Sequence, residues 1–245
     1  MTPLDPDVVL GAYAVGVFPM ADHRAADTVY WVEPKRRAVM PLDRFHLSRS
    51  LRKTLITDRF RVTADTAFAD IIALCGAAAA DRPETWINPS IAEVFERLHG
   101  MGLAHSIECW DGDQLVGGLY GLALGRAFFG ESMVSRARDA SKVALAWLVA
   151  RLKVGGFTLL DCQFQTDHLA SMGAVEISRS AYLGLLGGAL SGVGGGKTGS
   201  SLSARAVAAS GLADFGALDR LGSEATTVSG PLSGKVIAQL LTQTS

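Results

Sequence analysis

Two periods alternate along the chain. Between residues 104 and 163 the apolar pattern is mostly strand-like. Ala104–Trp110 closes in an Asp111-Gly112-Asp113 turn, and two apolar runs, Leu115–Leu124 and Ala127–Val134, flank Gly125-Arg126. A glycine and one further residue between such runs predict a tight hairpin. Helical spacing takes over in Ala140–Val154, which Gly155-Gly156 ends, and a strand returns at Phe157–Phe164. Upstream, helices are predicted over Asp7–Val17, Ser48–Thr57, Thr66–Ala79 and Pro89–Gly100, with short strands at Val29–Val32, Ala38–Leu42 and Phe60–Thr63. After a short segment through His168 and Ser171–Ala174, the composition turns to glycine, serine and alanine at about Gly187. That change predicts a flexible tail, dispensable for chemistry, with a short apolar end at Val236–Leu241. The expected fold class is α/β (α+β). A small N-terminal α/β domain spans 1–62, a mixed-sheet domain spans 63–187, and 188–245 form the tail.

Several positions break the apolar pattern. Glycines 117, 118, 121 and 130 are costly inside strands and are expected where a backbone bends or a ligand comes close. Glu131 sits in an apolar, glycine-flanked strand, where a carboxylate is expensive unless it is paired or used. It is either a hydrogen-bonded structural glutamate or a working one. In the next strand, period two puts Asp161 and Gln163 on one face. Two polar strands around an apolar, glycine-lined space predict a small-molecule site.

The chain has 245 residues, 49% of them apolar, enough to bury a sizeable core. A net charge of −1 gives no overall pull toward nucleic acid. Between Pro34 and Arg61, however, nine basic residues accompany two acidic ones, a local net charge of +7. That segment is either a solvated basic surface or a phosphate-binding patch. Cysteines 75, 109 and 162 have no metal-site spacing and read as buried thiols in a reducing compartment. With no basic leader and no uncharged apolar run of membrane-spanning length, the expected location is the cytoplasm, away from membrane.

Three tempting motifs fail. A phosphate loop ending at Lys197-Thr198 would need glycine at 191, which is Ser191, and no strand precedes it. Gly130-Glu131-Ser132-Met133-Val134 lacks the second glycine of a hydrolase nucleophile elbow. His99 and His105 are not at zinc-helix spacing, and no metal is expected.

The order strand pair, long helix, strand resembles the acetyl-coenzyme A-dependent N-acetyltransferase (GNAT-like) fold, which holds a pyrophosphate on a glycine-rich turn at the helix N-terminus. Here that turn, Ser135–Ser141, contains no glycine, so the fold is expected without the cofactor. A more specific resemblance rests on a run of segments in consistent order over roughly residues 5–185. They are Tyr13–Met20, Trp31–Arg37, Pro41–Lys53, Thr85–Ile87, Gly102–Glu108, Leu115–Gly121, Phe129–Arg136, Ala140–Lys142, and Leu160–Gln163 through His168 to Gly173-Ala174. This run resembles the leucyl/phenylalanyl-tRNA–protein transferase family; Val134 replaces the phenylalanine usual in its Gly-Glu-Ser-Met-Phe-Ser motif.

The resemblance implies transfer of Leu, Phe or Met from the 3′ end of a charged tRNA to the α-amino group of proteins beginning with Arg or Lys, marking them for degradation. It implies no metal and no diffusible cofactor. By residue, it implies Asp161 and Gln163 as catalytic, with Gln163 accepting a hydrogen bond from the attacking amine and Asp161 polarising that contact. Glu131 orients the aminoacyl group or the acceptor. Trp31 and Trp86 stack on the terminal adenosine, and Met133, Leu119, Phe128 and Leu160 line the side-chain pocket, Phe128 and Leu160 at the opposite strand parity. Arg36, Arg37, Arg49, Arg52 and Lys53 are the expected phosphate contacts. The alternatives are a tRNA-binding module without chemistry, which leaves Glu131, Asp161 and Gln163 unexplained, and a coenzyme A-dependent acetyltransferase.

Overall fold

The computed structural model describes residues 3–77, 84–191, 213–224 and 232–243. The N-terminal end is a helix, α1 (Pro6–Ala14), and a two-stranded sheet of β1 (Phe18–Met20) and β2 (Tyr30–Val32). Proline at the first turn and an Asp5 carboxylate that accepts from the Asp7 amide start α1. The rest is built on a seven-stranded mixed sheet. Its strands are β3 (Arg36–Val39), β4 (Arg61–Ala64), β5 (Ala104–Asp111), β6 (Gln114–Leu124), β7 (Ala127–Ser135), β8 (Leu159–Gln163) and β9 (Val175–Ser178). They lie in the order β4-β5-β6-β7-β8-β3-β9. Every neighbouring pair is antiparallel except β7 and β8, and that parallel pair needs the crossover helix α5 (Ala140–Val154).

Helices cover both faces. Strand alternation sends Phe128 into one apolar layer and Phe129 into the other. The first layer holds α2 (Arg49–Ile56), α5 and the short α6 (Asp167–Ala170). The second holds α1, α3 (Phe68–Cys75), α4 (Pro89–Gly100) and α7 (Arg179–Leu190). Helix α5 is buried almost all round, so its sequence shows no polar stripe. Ser48, Asn88 and Ser178 accept from the first-turn amides of Leu51, Ile91 and Ala181, which fixes where α2, α4 and α7 begin.

The mixed α/β class with a small N-terminal piece holds, and its order is consistent with an acetyltransferase-like arrangement. The domain boundary expected at 62 does not. Strand β3 bonds to β8 and β9, and α2 packs against α5, so residues 36–62 belong to the large sheet. Strand β9 and helix α7 have no counterpart in the sequence reading; β9 alternates apolar and polar residues, but its four residues cover only two periods.

The tail also differs where it is described. Its helices α8 (Ala217–Glu224) and α9 (Gly234–Thr242) send Leu218, Ile237 and Leu241 into the first apolar layer, and Phe215, just before α8, joins them. Phe215 stacks on His105 and Phe128, and the Arg151 guanidinium, 3% exposed, forks onto Asp219 and donates to the Phe215 carbonyl. The glycine-rich stretch after Ser191 and the failed phosphate loop lie outside the described residues.

Candidate active site

The site opens where β7 and β8 part. Their parallel pairing ends at Phe129 opposite Asp161. Beyond that point two side chains span the gap: Gln163 Nε2 donates to Glu131 Oε1 at 2.9 Å. Glu131 is there because β7 is irregular. Tyr120 pairs with Ser132 and Gly121 with Gly130, which leaves Glu131 as an extra residue, a β-bulge that re-aims its carboxyl. Gly121 is required at this bulge, since a Cβ there would lie 2.2 Å from the Phe129 carbonyl oxygen.

A cavity of about 310 Å³ lies against this pair. Its apolar walls include Leu119, Met133, Leu145, Leu148, Leu160 and Leu169, and its polar wall is Glu131, Ser132, Gln163 and His168. Trp86 and Phe164 also border it, Phe164 being 46% exposed. This is an apolar space with a few convergent polar groups, the usual form of a small-ligand site.

Strand β8 does not alternate as the sequence predicted. Leu160 and Cys162 face the cavity, and Asp161 faces away, 0% exposed. Gln163 reaches the cavity because its backbone is left-handed, φ 61°. Asp161 Oδ1 accepts the Gln163 amide N–H at 2.8 Å, an aspartate turn that holds this conformation. The rest of the Asp161 carboxylate is occupied by the Arg37 guanidinium, at 2.5 to 2.9 Å, and by the Tyr182 hydroxyl at 2.7 Å. Asp161 therefore touches no cavity space and acts on Gln163.

This overturns the expectation for Arg37. It is 1% exposed and bound to Asp161, so it is no part of a basic surface. Burial works against its charge, but the hydrogen bonds and charge of Asp161 outweigh burial and raise its pKa. Arg36, Arg49, Arg52 and Lys53 are exposed, and Arg36 pairs with Glu176.

Burial also sets the other titrations. Desolvation pushes Glu131 up from 4.5 to about 8; contacts with Tyr13 and Gln163 pull against it and the Asp161 charge adds to it. Glu131 is then mainly neutral at pH 7. The Tyr13 hydroxyl interacts with Glu131 electrostatically, but neither it nor Glu131 Oε2 completes a hydrogen bond of standard geometry. Burial holds the Cys162 thiol protonated, so it is no nucleophile. His168 is lowered by burial and then by Lys142, which keeps it neutral. Gln163 Oε1 accepts no hydrogen bond among the described residues and is a free acceptor at the site, where Glu131 Oε2 and His168 Nε2 are also buried without a partner.

Of the other expected residues, Leu119, Met133, Leu160 and Trp86 line the cavity. Phe128 does not; it packs in the core against Phe157 and Phe215. Trp31 does not line it either: it lies in β2 opposite Pro19, 40% exposed. The Ala21 amide, just past β1, donates to the Trp86 carbonyl, so that sheet is tied to the Trp86 loop. Leu145 and Leu148 were missed, although their i, i+3 spacing on α5 places them on one face. Tyr182 gave no signal in the sequence. At the N-terminus of α5, Asp139 lies within ion-pair reach of Arg138 and Lys142, a carboxylate where an acetyltransferase would receive a pyrophosphate.

Comparison with known proteins points to one family. A family model described as leucyl/phenylalanyl-tRNA protein transferase matches residues 39–187, and one for the N-terminal domain of that protein matches 2–35. A relative from Rhizorhabdus wittichii is 60% identical over 100% of both chains. One from Zymomonas mobilis is 63% identical over 77% of this chain and 70% of its own. One from Paramagnetospirillum magneticum is 58% identical over 78% and 91%. All three carry the name leucyl/phenylalanyl-tRNA–protein transferase.

Proposed function

The chain belongs to the leucyl/phenylalanyl-tRNA protein transferase family and is a transferase; from that premise we propose that its Glu131–Gln163 cavity passes Leu, Phe or Met from charged tRNA to proteins beginning with Arg or Lys. The modified proteins are then marked for degradation, in the cytoplasm. Among the described residues no helix is long and apolar enough to cross a membrane.

The chemistry asks little of the protein beyond placement. The donor is an activated ester. The acceptor α-amino group has a pKa near 8, so roughly a tenth is neutral at pH 7. Its nitrogen attacks the ester carbonyl, the bond to the ribose 3′ oxygen breaks, and the proton lost by the amine balances the one gained by the leaving oxygen. Holding the two partners in line supplies an effective molarity of up to ~10⁵ M or more. The observation that carries this reading is the Gln163 amide: its Nε2 is tethered to Glu131, which leaves Oε1 to accept from the amine.

The apolar walls take the unbranched or aromatic side chain, and Trp86 stacks on the terminal adenine, a contact typically worth ~1–3 kcal/mol. A neutral Glu131 orients by hydrogen bonding, and a cationic acceptor beside it draws out the ionised form. Arg49, Arg52 and Lys53, exposed together on α2, meet the tRNA backbone, with Arg36 as a further contact.

The test offers the protein labelled leucyl-tRNA, acetyl-coenzyme A and a peptide beginning with Arg. Transfer of leucine to the peptide N-terminus is expected. Transfer only from acetyl-coenzyme A, or tRNA binding without transfer, would refute the proposal.

A further inference from the structure

Arg37 is the largest fully buried side chain among the described residues, and its contacts converge on Gln163. Its Nε lies 2.8 and 2.9 Å from the two Asp161 oxygens, and Nη2 lies 2.5 Å from Oδ2. Nη1 donates to the Gly16 carbonyl at 3.1 Å. The guanidinium carbon lies over the rings of both Phe18 and Tyr182, 4.6 Å from each centroid. Tyr182 closes the set by donating to Asp161 Oδ2 at 2.7 Å.

A carboxylate held this way has one oxygen oriented toward the Gln163 amide N–H, at 2.8 Å. That bond matters because Gln163 is left-handed, a conformation that costs a non-glycine residue roughly 1–2 kcal/mol and persists only where its surroundings impose it. In an extended backbone, Gln163 would continue the alternation of β8 and point away from the wall formed by Leu160 and Cys162. The pairing with β3 shifts at the same place: Ala38 pairs with Gln163 and Val39 with Asp161, which leaves Cys162 as an extra residue of β8. Lysine could replace the charge of Arg37 but not its fork.

We infer that Arg37 is a positioning residue for the transfer: by clamping Asp161 it locks the left-handed backbone of Gln163 and aims the Gln163 amide into the cavity. This rests on the role proposed above for Gln163. A buried ion pair that merely braced the fold would change the melting temperature without changing how Gln163 works.

The experiment measures single-turnover transfer from leucyl-tRNA, donor affinity and melting temperature for full-length Arg37→Lys and Tyr182→Phe, each alone and combined with Gln163→Ala. Tyr182→Phe removes one hydrogen bond to Asp161 and keeps its ring on Arg37, so it is the milder probe if Arg37→Lys does not fold. Arg37→Lys is expected to slow transfer by about 10–100-fold, and Tyr182→Phe by about 3–10-fold, with donor affinity within about threefold of wild type. In the Gln163→Ala background both losses should shrink to less than about threefold, because their target is gone. Equal losses in the two backgrounds, or folded variants that transfer at the wild-type rate, would overturn the inference. Gln163→Ala that is slow while the other losses stay additive removes only the role of Arg37. Gln163→Ala at the wild-type rate removes both that role and the proposed use of Gln163.

Discussion

Replacing Glu131 by glutamine should flatten the decline of stability toward alkaline pH. The carboxyl is buried, and desolvation raises its pKa from 4.5 to about 8. An unfolded chain releases this proton from pH 4.5 upward, whereas the folded chain keeps it until about pH 8. The stability contributed by the group is therefore complete below pH 4.5, falls as pH rises, and levels off above about 8. At 1.36 kcal/mol for each unit, the displacement corresponds to about 5 kcal/mol over the full range, of which about 4 kcal/mol falls between pH 5 and pH 9. Glutamine has no such titration, and its amide oxygen still accepts from Gln163 Nε2. Urea unfolding of both proteins at pH 5, 6, 7, 8 and 9 gives the difference directly, since all other titrating groups cancel. The stability of Glu131→Gln relative to wild type should climb by about 4 kcal/mol across that range. Curves that run parallel within about 1 kcal/mol would show that the Glu131 carboxyl is solvated rather than buried.

Three further outcomes follow from the geometry. Arg49→Ala with Arg52→Ala should flatten the salt dependence of tRNA affinity while leaving transfer from a minimal aminoacyl-adenosine donor largely intact; an unchanged slope, read from filter binding between 50 and 200 mM salt, would show that α2 is only a solvated surface. Ending the chain at Leu190 removes Phe215, Leu218, Ile237 and Leu241 from the core, at roughly 1.5–3 kcal/mol for each fully buried side chain, so the shortened protein should unfold at markedly lower urea than the full chain. Gly121→Ala should cost about 1–3 kcal/mol or more, measured by chemical unfolding, because its Cβ would meet the Phe129 carbonyl at 2.2 Å.

What the sequence makes legible is local. Gly125 takes the positive φ of 59° that the Gly125-Arg126 hairpin signal asks for, and capping residues mark where α2 and α4 start. Glu131 is visible as a misfit because a carboxylate in an apolar strand is costly wherever it falls. What fails is period counting next to irregular backbone. The bulge at Glu131 and the left-handed Gln163 each reset the alternation, so Leu160 faces the cavity and Asp161 does not. Long-range pairing also leaves no trace in the sequence. Arg37 lies in a basic run and looks like surface, yet its partner Asp161 is 124 residues away. The tail reads as flexible from its composition, while four apolar residues scattered through it supply core contacts.

The account turns on Gln163, and the most direct measurement is the single-turnover rate of leucyl transfer by Gln163→Ala at saturating charged tRNA, alongside its donor affinity. The amine contact exists mainly in the transition state, so the rate should fall on the order of 10²-fold while the dissociation constant for leucyl-tRNA stays within about threefold of wild type. Gln163→Glu, which keeps an acceptor oxygen in place, should recover part of that loss. A folded Gln163→Ala protein that transfers at close to the wild-type rate would contradict the account and leave placement of the two substrates as the whole of the catalysis.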